Sequence, residues 1–372
     1  MVRVGHAKIR DVDALILVAG LVVLALVLAD VFETIVVPRP SPGRHRLSRY
    51  VVRPTWRLWR WLGARTRTGL ARDGFYGLYA PGIAIMLLLA WLVLLVLGYG
   101  LVFFALRAEL DPAPVTLGTS LYFAGTSVLT LGYGDIIATG PLARGVSLLA
   151  AANGLGIVAL VITFLFSMYA SYQRREALVV TLSARAKAPP SAVTLLEVYA
   201  RLDLVAELPA LFAAWEAWEA EVLDSHVAYP LLGYFRSSHD NISWVSALGA
   251  VLDACALVLT TIRGIPRGQA ELTKRGGAHL VEDISGFLGL EGNGSAVDRD
   301  EFDQAYQRLA GAGYELVDAD EAWRGFEHAR ATYAGRLEAM AGYWATPPTI
   351  WIGERAHAPS LAHRVDEPAP GR

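Results

Sequence analysis

Thr130-Leu131-Gly132-Tyr133-Gly134-Asp135 is the stretch on which the fold turns. Its two glycines sit at alternate positions, where they admit backbone angles that strain a residue with a β-carbon and let consecutive carbonyls point to one side. A run with helical character, residues 116–129, precedes it. Further out, the chain carries no charge between Asp73 and Arg107, and none between Arg144 and Arg174. Each of these runs exceeds the roughly 20 apolar residues that cross a bilayer. The segment between them, residues 111–141, is short and apolar for an external domain. Non-helical backbone at membrane depth is tolerated only where it is buried in protein or lines a watery path. A hairpin that dips into the membrane and returns is therefore the expected form, with an outer helix over 78–106, a short helix over 117–129, the loop over 130–135 and an inner helix over 143–173.

This hexapeptide resembles the potassium-channel signature Thr-Val-Gly-Tyr-Gly-Asp at five of its six positions. The resemblance implies that carbonyls of Thr130, Leu131, Gly132 and Tyr133, with the Thr130 hydroxyl, replace the water around a potassium ion. It implies that Tyr133 turns away from the pore, that Tyr122 and Phe123 form an aromatic cuff, and that Asp135 caps the outer mouth and attracts cations. Leu131 stands where the signature has valine; only its carbonyl faces the ion, while its bulkier side chain alters the packing behind the filter. Thr126 occupies a position that is acidic in some members of the family. One filter loop per chain implies a homotetramer, since four-fold coordination needs four loops and no second match occurs. Asn153 and Gly154 lie about a third of the way along the uncharged run between Arg144 and Arg174. Gly154 reads either as a gating hinge or as a site of close helix packing; Asn153 either faces an inner cavity or bonds to another helix.

A third apolar run, residues 14–37, carries Asp30 and Glu33 near one end, where they read as interfacial acids pairing with nearby arginines. Its length argues against a signal peptide. Of the 372 residues, 54% are hydrophobic and 18% charged. Residues 1–175 hold 17 Lys and Arg against 8 Asp and Glu, and residues 176–372 hold 16 against 27, giving +9 and −11. Between 39 and 72 there are ten arginines and no acid. The positive-inside rule places this linker, and the acidic C-terminal half, in the cytoplasm; the N-terminus is outside if the run over 14–37 crosses fully, against which its own Arg3, Lys8 and Arg10 count. Arg49, Arg53, Arg57 and Arg60 form one stripe on a helix. With Pro54 interrupting a run too short to span, they read as an interfacial helix on anionic lipid, Trp56, Trp59 and Trp61 lying at headgroup depth, rather than as a voltage sensor; a plain tether that pairs with the acidic C-terminal region is the other reading.

The C-terminal half reads as helical. Residues 191–223 form an amphipathic helix, residues 299–309 and 321–341 two more, and 243–262 an apolar helix. The last is either buried in a cytosolic bundle or a fourth span. The acid cluster Asp298, Asp300, Glu301 and Asp303 lacks the spacing of a calcium loop and reads as a solvated helix start. A single cysteine, Cys255, excludes an intramolecular disulfide framework. No Gly-x-Gly-x-x-Gly follows a strand, no metal-ligand or nucleophile–base pattern emerges, and the Asn293-Gly294-Ser295 sequon would go unused on the cytoplasmic side.

These observations predict an all-α membrane protein of the plasma membrane. Residues 1–38 form an N-terminal span, 39–77 a basic interfacial linker, 78–175 a pore module, 176–356 a helical cytoplasmic domain, and 357–372 a disordered tail. The expected function is passive potassium conduction, with membrane lipids and copies of itself as partners, no nucleic acid, no cofactor, no bound metal beyond the transported ion and no catalysis. Two alternatives stand beside it: a weakly selective monovalent cation channel, and a membrane-anchored signalling or scaffold protein whose pore does not conduct.

Overall fold

A computed structural model describes residues 3–37, 47–65, 69–237, 239, 241–292 and 297–346. Arg39, Arg44, Arg46, Arg67, the Arg49 side chain, the Asn293 sequon and the tail from 357 lie outside the described residues. The chain divides into two compact units. The first comprises Met1–Leu62 and Leu78–Met168, and the second Gly63–Gly77 and Tyr169–Arg372.

In the first unit, α1 (Arg3–Val31) continues through one π-helical turn to Val36, followed by α2 (Leu47–Gly63). After α3 (Gly69–Gly77) of the second unit, α4 (Tyr79–Ala105) runs back antiparallel to α1. Glycines set their separation: a β-carbon on Gly20 would sit 2.8 Å from the Gly98 carbonyl oxygen. Polar pairs tie both ends. Arg107 bonds Asp13 at 2.7 Å, and the Trp91 indole donates to buried Asp30 at 2.8 Å. Asp30 is thus held by a tryptophan of α4 inside an apolar setting, beyond the interfacial arginine pairing that its sequence position suggests.

A two-residue strand, β1 (Leu110–Asp111), leads to α5 (Leu117–Val128). A second, β2 (Ile137–Ala138), pairs with β1 antiparallel, Leu110 opposite Ala138. Then α6 (Pro141–Ala186) closes the hairpin. Glu109 reinforces this clasp: its carboxylate accepts from the Ala143 N–H at 2.9 Å, and its carbonyl from Thr139 N at 2.8 Å. Nothing in the local pattern of 110–111 and 137–138 announces a sheet; the pairing exists because the two legs of the hairpin return to one place. Leu24, Val27, Leu95, Phe103, Phe123, Val128, Ile157 and Val161 share one core, so α1, α4, α5 and α6 pack as one body.

Three helical segments among the described residues are long and apolar enough to cross a membrane: Asp11–Val36, Arg72–Ala105 and Pro141–Ala186. The helix expected over 143–173 extends to Ala186, because good helix formers continue after the apolar pattern ends at Arg174. It stops ahead of Pro189 and Pro190, with Lys187 at φ 64°.

The second unit is a helical bundle of α7 (Ala192–Arg201), α8 (Leu208–Ala228), α9 (Trp244–Thr260), α10 (Arg267–Leu288), α11 (Arg299–Gly311), α12 (Ala319–Arg330) and α13 (Ala334–Trp344). At its centre is α9, packed by α7, α8, α10, α12 and α13. A Ser243–Ser246 capping box starts it, and its residues from Trp244 to Val258 are all buried. That stretch is apolar on nearly every side because protein surrounds it, which accounts for the hydrophobicity of 243–262 without a fourth span. Asp253, its one charge, is fully buried; Arg330 Nε donates to its two oxygens at 2.9 and 3.1 Å and the Tyr333 hydroxyl to one at 2.6 Å.

Two expected helices are each split. Residues 191–223 break between α7 and α8, where Asp203 takes φ 57° and the Leu204 N–H turns back to the Tyr199 carbonyl. Pro209, with no N–H to donate, suits the first turn of the new helix. Residues 321–341 break at 331–333, which lets Arg330 and Tyr333 reach Asp253 from two directions. Asp298 caps α11 by accepting from the Glu301 N–H at 2.8 Å, and Asp303 pairs with Arg299.

On the stretch of α6 in this unit, Arg175 is buried and donates to the carbonyls of Leu232 and Phe235, each at 3.0 Å, and to Glu176. Its Nη1 also meets His226 Nε2 at 3.2 Å. Burial, then the Arg175 charge, push His226 down to about 3, so the ring is neutral and its Nδ1–H donates to the Val222 carbonyl at 2.8 Å.

Candidate functional site

Thr116 starts α5 by accepting the Thr119 N–H at 3.2 Å. At the other end, the Leu129 N–H closes on the Gly125 carbonyl at 2.9 Å and that of Thr130 on Ser127 at 3.1 Å. The Thr126 carbonyl then accepts from Leu131 N at 2.8 Å and Gly132 N at 3.4 Å. The loop is therefore pinned to the helix through main chain at position 126. The Thr126 side chain takes no part, since its hydroxyl donates to the Phe123 carbonyl at 2.9 Å. A main-chain brace of this kind has no signature in residue types, and sequence reasoning, which looked for a side chain there, missed it.

Beyond the helix the sign of φ alternates. Thr130, Gly132 and Gly134 lie in the left-handed region at 55°, 58° and 80°, whereas Leu131 and Tyr133 do not. The cost of a left-handed threonine, about 1 kcal/mol or more, is borne by the hydrogen bonds on either side of it. Among the described residues, no hydrogen bond is made to the carbonyl oxygens of Thr130, Leu131, Gly132 or Tyr133. All four residues are exposed in the single chain, so these consecutive carbonyls stand open to whatever the loop faces.

Side chains of the loop are exposed in the single chain: Leu131 by 52% and Tyr133 by 67%. The two aromatics of α5 diverge. Phe123 is buried edge-on against Phe103 at 4.7 Å, inside its own chain, while Tyr122 is 44% exposed on the side of Asp135. Ile136 is buried and anchors the returning leg.

Small residues let α5 seat between α4 and α6. A β-carbon at Gly100 would collide with Leu121, and one at Gly154 would overlap the Val128 carbonyl. Gly156, by contrast, faces open space. Asn153 donates its amide to the buried Tyr99 hydroxyl at 2.5 Å, tying α6 to α4. In this conformation Gly154 is a packing glycine and Asn153 an interhelical donor. Gly154→Ala is expected to destabilise the purified protein by about 1–3 kcal/mol through overpacking against main chain. Gly156→Ala is expected to be neutral or slightly stabilising, because alanine is the better helix former. Thermal unfolding of both variants in the same detergent checks the contrast.

Among the described residues, no group of three or more His, Cys, Asp or Glu is placed to hold a metal ion. A protein-family model described as an ion channel matches residues 87–171, which take in most of α4, the clasped hairpin and α6 as far as Ser171. No curated protein and no solved structure matches the chain. With its uncapped loop carbonyls held between two membrane-length helices, the stretch 87–171 is an ion-channel pore module, set in an all-α, multi-pass membrane protein.

Proposed function

We propose that the chain is a potassium channel that assembles as a homotetramer in the plasma membrane, needs no cofactor and carries out no catalysis. The observation that supports this most is the row of carbonyls at Thr130, Leu131, Gly132 and Tyr133 that accept no hydrogen bond, on backbone of alternating handedness. Four such loops around one axis supply rings of oxygen that replace the hydration shell of a monovalent cation, and repulsion between ions in adjacent rings speeds exit. The exposed faces of Tyr133, Tyr122 and Leu131 are the surfaces that neighbouring subunits cover in this reading. Asp135 concentrates cations at the outer mouth, and the negative end of α5 faces the inner one. The basic linker and the acidic second unit lie in the cytoplasm.

A weakly selective cation channel is the second reading. The Thr126 side chain is spent inside its own helix, which leaves the filter without a side-chain brace from that position.

Purified full-length protein in liposomes separates these readings. Potassium conduction with a reversal potential near the potassium equilibrium value in mixed potassium and sodium is the expected result. Gly134→Asp, which forces a charged side chain onto a residue at φ 80°, is expected to reduce flux to the level of protein-free vesicles. A reversal potential midway between the two ions favours the second reading. Absence of flux from folded tetramers favours a non-conducting scaffold.

A further inference from the structure

The pore does not use α2, yet α2 is built more specifically than a tether requires. On a helix of about 100° per residue its side chains sort into three faces. The first carries Trp56 and Trp59, which pack on Tyr79, the opening residue of α4, with ring centroids 4.8 and 6.0 Å away. Trp56 is 1% exposed, and the Tyr79 hydroxyl donates to the Val52 carbonyl at 2.7 Å with the Thr55 hydroxyl 3.0 Å away. The opposite face exposes Leu58, Trp61 and Leu62 by 56%, 54% and 40%. Between these faces lies the arc of Arg53, Arg57 and Arg60. The sequence had the tryptophans all at headgroup depth; the structure turns Trp56 into the α4 joint and leaves Trp61 outward.

We infer that α2 lies along the cytoplasmic surface of the bilayer as a binding surface for anionic phospholipid, with Leu58, Trp61 and Leu62 in the acyl boundary and Arg57 and Arg60 on the headgroup phosphates. This rests on the cytoplasmic placement of the linker given above, and not on the pore conducting. Three observations choose lipid as the occupant. Both flanking segments, Asp11–Val36 and Arg72–Ala105, are membrane-length helices, so α2 is tethered at the surface from both ends. Its outward apolar face has the amphipathic pairing with arginine that interfacial helices show. Residues 39–72 hold ten arginines without one acid, a charge that complements anionic headgroups. Because the Trp56–Tyr79 joint fixes α2 to the start of α4, lipid engagement bears directly on the outer helix of the pore module.

The test uses the full-length protein with Ala64→Cys carrying a fluorophore; the native Cys255 is buried and does not compete for label. The labelled protein is placed in phosphatidylcholine bilayers holding a small fraction of brominated phosphatidylglycerol or, separately, brominated phosphatidylcholine. Preferential quenching by the anionic lipid is expected. Arg57→Gln with Arg60→Gln is expected to lower that preference about fivefold per arginine, Arg57→Lys with Arg60→Lys to retain it, and high salt to weaken it. Equal quenching by the two lipids, or an unchanged preference in the glutamine variant, overturns the inference. So does a preference abolished by soluble inorganic phosphate at matched ionic strength, which would mark a free-anion site. Potassium flux measured on the same vesicles reports the pore separately, so failure of either reading leaves the other intact.

Discussion

Asp253→Ala is expected to lower the stability of the helical bundle by about 3–5 kcal/mol, the usual result of deleting one partner of a buried ion pair. The carboxylate is the point at which three helices meet: it sits in α9 and receives Arg330 at the end of α12 and Tyr333 at the start of α13, all buried. Removing it takes from a buried guanidinium and a buried phenol the carboxylate to which both donate, and desolvation that the pair had offset is less compensated. Urea unfolding of the full-length protein, followed by fluorescence of the buried Trp215, Trp218, Trp244 and Trp344, reads the change. The double replacement Asp253→Leu with Arg330→Met is expected to recover much of the loss, because a buried pair exchanged for apolar groups is often neutral. A single replacement that leaves the midpoint unmoved would show that the pair contributes nothing.

Glu219→Gln is expected to act in the opposite direction and to depend on pH. Both carboxyl oxygens of Glu219 are buried without a hydrogen-bond partner. They lie against Gly276 and Gly277 of α10, where an added β-carbon would come within 2.7 Å of one oxygen or the other. Burial, then the nearby Glu216 charge, push its acid up to about 9. The native state therefore keeps this proton up to about pH 9, while the unfolded chain releases it near the ordinary carboxylate value of 4.5. Its contribution is fully present below pH 4.5 and is lost progressively as pH rises toward 9, by at most about 1.4 kcal/mol per unit. Glutamine keeps the shape and has no proton to lose, so the variant is expected to be more stable by on the order of 3 kcal/mol at pH 8 and little changed at pH 5. The wild-type-minus-variant difference in unfolding free energy, measured at several pH values, isolates this group from all others. A difference that is flat between pH 5 and pH 8 would mean that the site is solvated.

The pore module was legible because its determinants are local. An uncharged run between Asp73 and Arg107 can only be a helix in lipid or in a core, and the expected bounds of 78–106 and 117–129 lie within a residue of α4 and α5. Gly132 and Gly134 announce left-handed backbone by lacking a β-carbon; Thr130 adopts it equally and gave no sign, since its angle is imposed by the hydrogen bonds on either side. In the bundle, periodicity located helices and missed their breaks. The turn after α12 exists to bring Arg330 and Tyr333 onto a residue nearly eighty positions earlier, a requirement that no window of sequence contains.

By itself, then, the sequence determined which segments are long and apolar enough to leave water and that the backbone turns left-handed at Gly132 and Gly134, because burial length and glycine are properties of the residues in place. Tertiary structure alone decided what each apolar surface faces. It surrounded α9 with helices, turned Trp56 onto Tyr79, spent the Thr126 hydroxyl on Phe123, seated the Val128 carbonyl against Gly154, and left a row of loop carbonyls without donors. Such outcomes depend on which groups arrive from distant parts of the chain, and a hydrogen bond or a close contact has no existence until both sides are present.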